Sequence, residues 1–240
     1  MDRGRLDAAT LERSIADDEI DTVVVAFTDL QGRLVGKRVT GQFFSDHVLD
    51  DGIEVCDYLL AVDVDMTPLP GYDFANWDQG YGDVRCRPDL DTLRTIPWLD
   101  KTALVLCDVV DVTSGEPVEI SPRQVLRRQI ERAATLGYQV KCGSELEFYL
   151  FEESYEQARA RDFGGLTYHA PFLQDYHILQ TTRDEYIIRE IRNGMDRAGV
   201  PVEFSKGEAG PGQHEINLRY AEALEMADRH VIYKNGAKEI

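Results

Sequence analysis

Hydrophobic positions change their spacing several times along the chain, and each change marks an element. Leu6, Leu11 and Ile15 recur at roughly helical intervals, so a short helix is expected between Leu6 and Ile20, closing on the acidic run Asp17-Asp18-Glu19. The β-branched stretch Asp21 to Asp29 reads as a strand, Leu30 to Arg33 as a turn, and Leu34 to Val39 as the returning strand of a hairpin. Gly41 to Leu49 suggests another short helix. Ala61 to Leu90 is rich in Asp, Pro and Gly and reads as a long functional loop. Thr102 to Val110 is almost continuously apolar, which is the pattern of a strand buried on both faces. Thr113 to Pro117 is a connector, and a domain boundary is expected there, dividing the chain into 1–114 and 115–240.

The second half is patterned more sharply. Ser121 is placed as an N-cap with Pro122 at the first helical position and Gln124 completing a capping box. Val125, Leu126, Ile130, Ala133 and Leu136 form that helix's apolar stripe, and Gly137 ends it. Glu145 to Phe151 favours a strand, in which Glu145 and Glu147 share one face and Leu146, Phe148 and Leu150 the other. Glu152 to His169, with Gly164-Gly165, reads as a flexible polar excursion. Arg183 to Ala198 is expected to be a helix with Tyr186, Ile187, Ile191 and Met195 facing inward. Val202 to Tyr220 then reads as strand, tight Gly/Pro turn, strand, followed by a helix from Ala221 to Ile240. In the later strand Gln213, Glu215, Asn217 and Arg219 occupy one wholly polar face, opposite His214, Ile216 and Leu218.

Charge narrows the function classes. With 240 residues, 43% of them hydrophobic, and a net charge of −18, the chain can bury a core but lacks the basic patches that nucleic acids or anionic membranes require. It has no apolar run near the ~20 residues of a membrane span, and its N-terminus lacks a signal peptide's apolar core. Cys56, Cys86, Cys107 and Cys142 lack metal-finger spacing and suit a reducing cytoplasm, the expected location.

Chemistry enters with the carboxylates. Glu145 and Glu147 on one strand face repel each other unless a cation lies between them, and Glu208 and Glu215 flank the Gly/Pro turn nearby. Four such residues with no obligatory Lys or Arg between them point to a hard divalent ion, Mg²⁺ or Mn²⁺. The plainer readings are a solvated acidic strand face, and neutralisation of Glu208 by Lys206, which alternation puts on its side. His214 alternates away from Glu215 and fits a packed or hydrogen-bonded histidine better than a ligand; His169, His177 and His230 have no informative spacing. Asn217 and Arg219 share Glu215's face and suit orienting roles.

Two ordered motifs, Gly143-Ser-Glu-Leu-Glu-Phe-Tyr-Leu-Phe151 and Glu208-Ala-Gly-Pro-Gly-Gln-His-Glu-Ile-Asn217, resemble the glutamine synthetase superfamily, including its γ-glutamyl-polyamine and other γ-glutamyl-amide ligases. The resemblance is loose before Leu90 and close from Ser121, and His230 to Lys234 looks like the family's following helix. It implies an α+β fold: a small β-grasp-like N-terminal domain, then an incomplete catalytic domain with an antiparallel sheet and flanking helices. It also implies ATP-dependent ligation of an amine or ammonia to the γ-carboxylate of L-glutamate through γ-glutamyl phosphate, in a homo-oligomeric ring.

By motif match Glu145 looks like a ligand of the metal nearest the transferring phosphate, and Glu147, Glu208 and Glu215 like the carboxylates of the other metal site. Glu203 matches a nucleotide-binding position and Tyr220 an aromatic beside the adenine, although a surface carboxylate and an edge aromatic read equally well. The family's glycine-rich His loop, its substrate-binding arginines and its flap Glu are not in the sequence, so the chain resembles the N-terminal portion of such an enzyme. The competing expectation is a truncated, non-catalytic paralogue that keeps metal binding and subunit-interface surfaces. In ammonia-using members an Asp-Gly-Ser-Ser loop deprotonates ammonium; the corresponding Pro68 to Trp77 lacks it, leaving Asp51 and Asp73 as weak catalytic candidates and an organic amine as the expected acceptor.

Overall fold

A computed structural model describes residues 3–78 and 80–240. Helix α1 (Ala8–Ala16) is capped by Asp7, whose carboxylate accepts from Thr10 N at 2.7 Å. The hairpin follows as β1 (Thr22–Thr28) and β2 (Leu34–Thr40), then α2 (Gly41–Phe43) and α3 (Leu49–Asp51) joined by a π-helical turn. β3 (Ile53–Cys56), β4 (Asp83–Pro88), β5 (Arg94–Thr95) and β6 (Thr102–Asp111) complete a six-stranded sheet of order β2-β1-β6-β4-β3, with β5 paired to β6. β1 and β6 run parallel and the other pairs antiparallel.

Beyond it come α4 (Pro122–Thr135), β7 (Lys141–Tyr149), α5 (Tyr155–Ala160), α6 (Ile178–Thr181), α7 (Glu185–Arg197), β8 (Val202–Gly207), β9 (Gln213–Glu222) and α8 (Ala223–Glu239). The three strands form an antiparallel sheet of order β7-β9-β8. The fold is therefore α+β. No helix among the described residues is long and apolar enough to cross a membrane.

β6 is buried on both faces, as its composition implied, and feeds two cores. Val105, Cys107 and Val109 pack with Val23, Val25 and Phe27 on one side. Leu104 and Leu106 pack on the other side with Ile191, Met195, Ile216, Leu218 and Tyr233. The β7-β9-β8 sheet is thus seated against the first sheet through α7 and α8.

Four local expectations are corrected. β3 and β4 were not expected; β4 lies inside the stretch read as loop, although Val84 and Cys86 alternate inward against outward Arg85 and Arg87, because its Asp and Pro content masks a strand made by long-range pairing. Ser121 precedes α4 but makes no side-chain cap, and the capping box instead forms at Ser154 and Gln157, opening α5 within the supposed flexible excursion. The apolar stripe of α4 is not its buried face: Val125 is 42% and Leu136 68% exposed, whereas Arg123 is 7%. Arg123 is drawn inward by Asp228 at 2.9 Å and by Asp89 and Asp108 at 2.6 Å, so α4 docks by an ionic edge. On α7, Tyr186 is exposed and Ile188 buried, because Ile188, Ile191 and Met195 follow one helical stripe that Tyr186 does not share.

The double-sided burial of β6 gives a direct test. Leu106→Ala is expected to lower unfolding free energy by about 2–5 kcal/mol, while Val125→Ala on the exposed face of α4 stays within about 0.5 kcal/mol, both read by denaturant titration.

Candidate metal centre

Strand register builds the site. Glu147 stands directly opposite Glu215 across the β7–β9 ladder, and Glu145 opposite Asn217. On the other side of β9, Lys206 of β8 pairs with Glu215. Glu208 follows β8 at the turn, its backbone N–H donating to Gln213 O at 2.9 Å. One carboxylate oxygen from each of Glu147, Glu208 and Glu215 lies within 4.8 Å of the other two. Gln213 fixes this group to the turn: its Nε2 donates to Glu147 Oε2 at 2.5 Å, and its Oε1 accepts from Gly210 N at 2.9 Å and Tyr149 OH at 3.1 Å.

A cation is already among these acids: the plainer reading in which Lys206 neutralises Glu208 describes the contact found, and the same ammonium also reaches Glu215. The Lys206 ammonium donates to Glu208 Oε1, approaches Glu215 Oε2 at 3.5 Å and Asp175 Oδ1 at 3.3 Å, and sits 4.3 Å from the centre of the Tyr176 ring. The two neighbouring carboxyls are electrically coupled. Glu208, followed by burial, raises the Glu215 carboxyl above its ordinary value near 4.5. Glu208 itself is lowered, first by the hydrogen bond from Glu215 and then by Lys206. Proximity thus drives the two carboxyls apart in acidity, Glu215 up and Glu208 down. Three converging carboxylates, with only the single Lys206 ammonium in contact with two of them, are a donor set that suits Mg²⁺ or Mn²⁺.

The remaining sequence candidates lie elsewhere. Glu145 stays outside the trio, two ladder pairs away, with Asn217 Nδ2 3.5 Å from its Oε1; Asn217 thus reaches Glu145 rather than Glu215. Glu203 is exposed in the irregular step where β8 shifts register against β9. Tyr220 is 61% exposed at the open end of the same hairpin, with Lys141 Nζ 5.8 Å from its ring centre and Arg219 lining the groove beside it. Asp51 ends α3 near the outer strands β3 and β4, Asp73 lies in the loop before β4, and neither belongs to the carboxylate group.

Behind β9 the sequence concealed a polar staple. His214, buried and facing away from Glu215, bonds Asp184 Oδ2 through Nε2 at 2.7 Å. Asp184 also accepts from Gln174 Nε2 at 3.0 Å and stands 3.1 Å from His169 Nε2, whose Nδ1 meets Glu152 at 2.8 Å. This chain ties the segment before α7 to the back of the sheet. Gly207 is required where that segment crosses β8, since a Cβ there would come within 2.4 Å of Gln174 O. Ser144 Oγ lies 2.6 Å from His230 Nδ1 on α8, another contact that no spacing signalled.

Residues 119–240 match the family described as glutamine synthetase, catalytic domain. The chain belongs to the glutamine synthetase family. It is 50% identical over 230 residues to the γ-glutamylethanolamide synthetase of Streptomyces coelicolor, covering 96% of this chain and 50% of that protein. It is 38% identical over 226 residues to a glutamate–isopropylamine ligase of a Pseudomonas species, covering 94% of this chain and 49% of that one. A solved structure of GmaS in complex with ADP superposes with a TM-score of 0.75 at 25% identity, over 95% of this chain and 48% of its own. The chain spans about half the length of the curated relatives it matches.

The raised Glu215 carboxyl sets the sign of a pH effect in this glutamine synthetase relative. A carboxyl raised in the folded state contributes stability below its ordinary value and loses that contribution as pH rises through the raised value. A divalent ion competes with protons for these carboxylate oxygens, so the increase in Tm produced by Mn²⁺ should be larger at about pH 8 than at about pH 5. Glu215→Gln should raise the Tm of the metal-free protein at the higher pH and abolish the Mn²⁺ effect, as read by scanning calorimetry.

Proposed function

We propose that the protein carrying this chain is an ATP-dependent ligase that joins an organic amine to the γ-carboxylate of L-glutamate through γ-glutamyl phosphate. The observation that carries this reading is the convergence of Glu147, Glu208 and Glu215 on adjacent strands, within the two motifs of the glutamine synthetase family. These three residues would hold one divalent ion, and Glu145, steadied by Asn217, a second one beside the transferring phosphate. Such ions supply charge neutralisation at phosphoryl oxygens.

The chain's own residues position the rest. Gln213 holds Glu147 and the turn in fixed relation, so its carboxylate needs little reorganisation on loading. The Asp184 staple keeps the turn strand from shifting. Glu203 and Tyr220, at the open end of the hairpin, are proposed to meet the nucleotide's ribose and base, where a flat exposed ring suits stacking. The similar GmaS structure is a complex with ADP, which supports a nucleotide substrate here. Exposed Phe172, Leu173, Ile178 and Leu179 favour assembly into a homo-oligomer.

An organic acceptor is favoured because one relative is named for a γ-glutamylethanolamide product and another for isopropylamine as the molecule joined to glutamate, and because Pro68 to Trp77 lacks an ammonium-deprotonating motif. In steady-state assays of the full-length protein, kcat/KM for a mono- or polyamine should exceed that for ammonia by about tenfold or more, the scale on which buried methylene groups discriminate. A preference for ammonia would overturn the acceptor assignment, and failure to consume ATP with glutamate and any amine would overturn the ligase reading.

A further inference from the structure

We infer that Lys206 is an internal stand-in for the divalent ion: its ammonium holds the carboxylate group together and withdraws to Asp175 and the Tyr176 ring when the ion enters. The inference rests on the metal reading above and extends it to a residue outside the ligand set.

Lys206 is the only described cation within salt-bridge distance of the trio. It touches Glu208 and Glu215, two of the three acids that a divalent ion would take, while Glu147 is tied to Gln213 instead. An ammonium and a divalent ion draw on the same oxygen lone pairs and repel each other at this range, so both cannot hold Glu208 and Glu215 in the same way. A second cradle is already built within reach of the same Nζ. Asp175 Oδ1 is 3.3 Å away, the Tyr176 ring centre 4.3 Å, and Gly207 O 3.3 Å.

The cradle's side chains are exposed, but its backbone is pinned. Asp175 bridges to Gly207 in parallel, Tyr176 N–H donates to Gly207 O at 3.3 Å, and Leu173 bridges to Pro211, so the segment is laced along the end of β8. A lysine's flexible stem and compact charge suit a short transfer between two such places, and the tyrosine face supplies a cation–π contact at the second. Three carboxylates, Glu208, Glu215 and Asp175, lie within salt-bridge distance of one ammonium. With a divalent ion on the trio, Lys206 and Asp175 are left to pair with each other. Lys206 would then set the affinity of the site and hold the acids in register before loading.

The test is calorimetric titration of Mn²⁺ into the 240-residue chain and its Lys206→Met, Asp175→Asn and doubly substituted variants, with circular dichroism confirming that each is folded. Lys206→Met should bind Mn²⁺ about fivefold tighter, the scale of one partly exposed ion pair. Asp175→Asn should bind it more weakly, and should change nothing once Lys206 is absent, because the two act through one step. Loss of any positive charge this close tightens binding by Coulomb repulsion alone, so the readout that distinguishes the transfer is the dependence of the Asp175→Asn effect on Lys206. Unchanged or weaker affinity in folded Lys206→Met, or an Asp175→Asn effect that persists without Lys206, would overturn this inference while leaving the metal site standing. Absence of Mn²⁺ binding from all four proteins would overturn the metal site and this inference together.

Discussion

Repulsion among like charges is the constraint around which this chain is arranged. Glu147 and Glu215 face each other across one ladder, and Glu208 returns beside them from the turn, in an environment where Glu215 is 5% exposed. Directly opposed carboxylates weaken a sheet unless positive charge or a proton intervenes. Everything near the trio works against its dispersal: Lys206 supplies charge, Gln213 fixes the turn, and the Asp184 staple holds the back of β9. A register slip of one residue would send Glu147 or Glu215 to the apolar side and expose Leu146 or Ile216, so the same burial that folds the sheet also aims the acids.

The rest of the molecule makes that small sheet rigid. β6 lends Leu104 and Leu106 to the core beneath β9, and α8 lies across both sheets through Ile232 and Tyr233. Arg123 gathers Asp89, Asp108 and Asp228, joining α4 and α8 to strands of the first sheet. Buried ion networks of this kind add little net stability over apolar packing, but removal of one member leaves uncompensated charge. They specify how the elements dock more than how strongly.

Period-two and helical patterns made β1, β2, the β8–β9 hairpin and α7 legible, and a continuous apolar run did so for β6, because the apolar positions of each meet a core within this chain. The same logic failed on α4, whose apolar stripe stays exposed while its arginine is buried, since periodicity reports which face is apolar and not which face is covered. The trio could be anticipated from acids at fixed offsets on paired strands. Lys206 was visible on Glu208's side, yet its place between Glu208 and Glu215 depends on the β8–β9 register. The staple of Glu152, His169, Asp184 and His214 joins residues widely separated along the chain, and no local spacing announces such contacts.

The most direct measurement is anomalous scattering from crystals of this protein soaked in Mn²⁺. A metal centre at the trio predicts a peak bonded to carboxylate oxygens of Glu147, Glu208 and Glu215 at about 2.0–2.2 Å. Crystals that take up Mn²⁺ only elsewhere, with the three carboxylates as close as before and no peak between them, would contradict it.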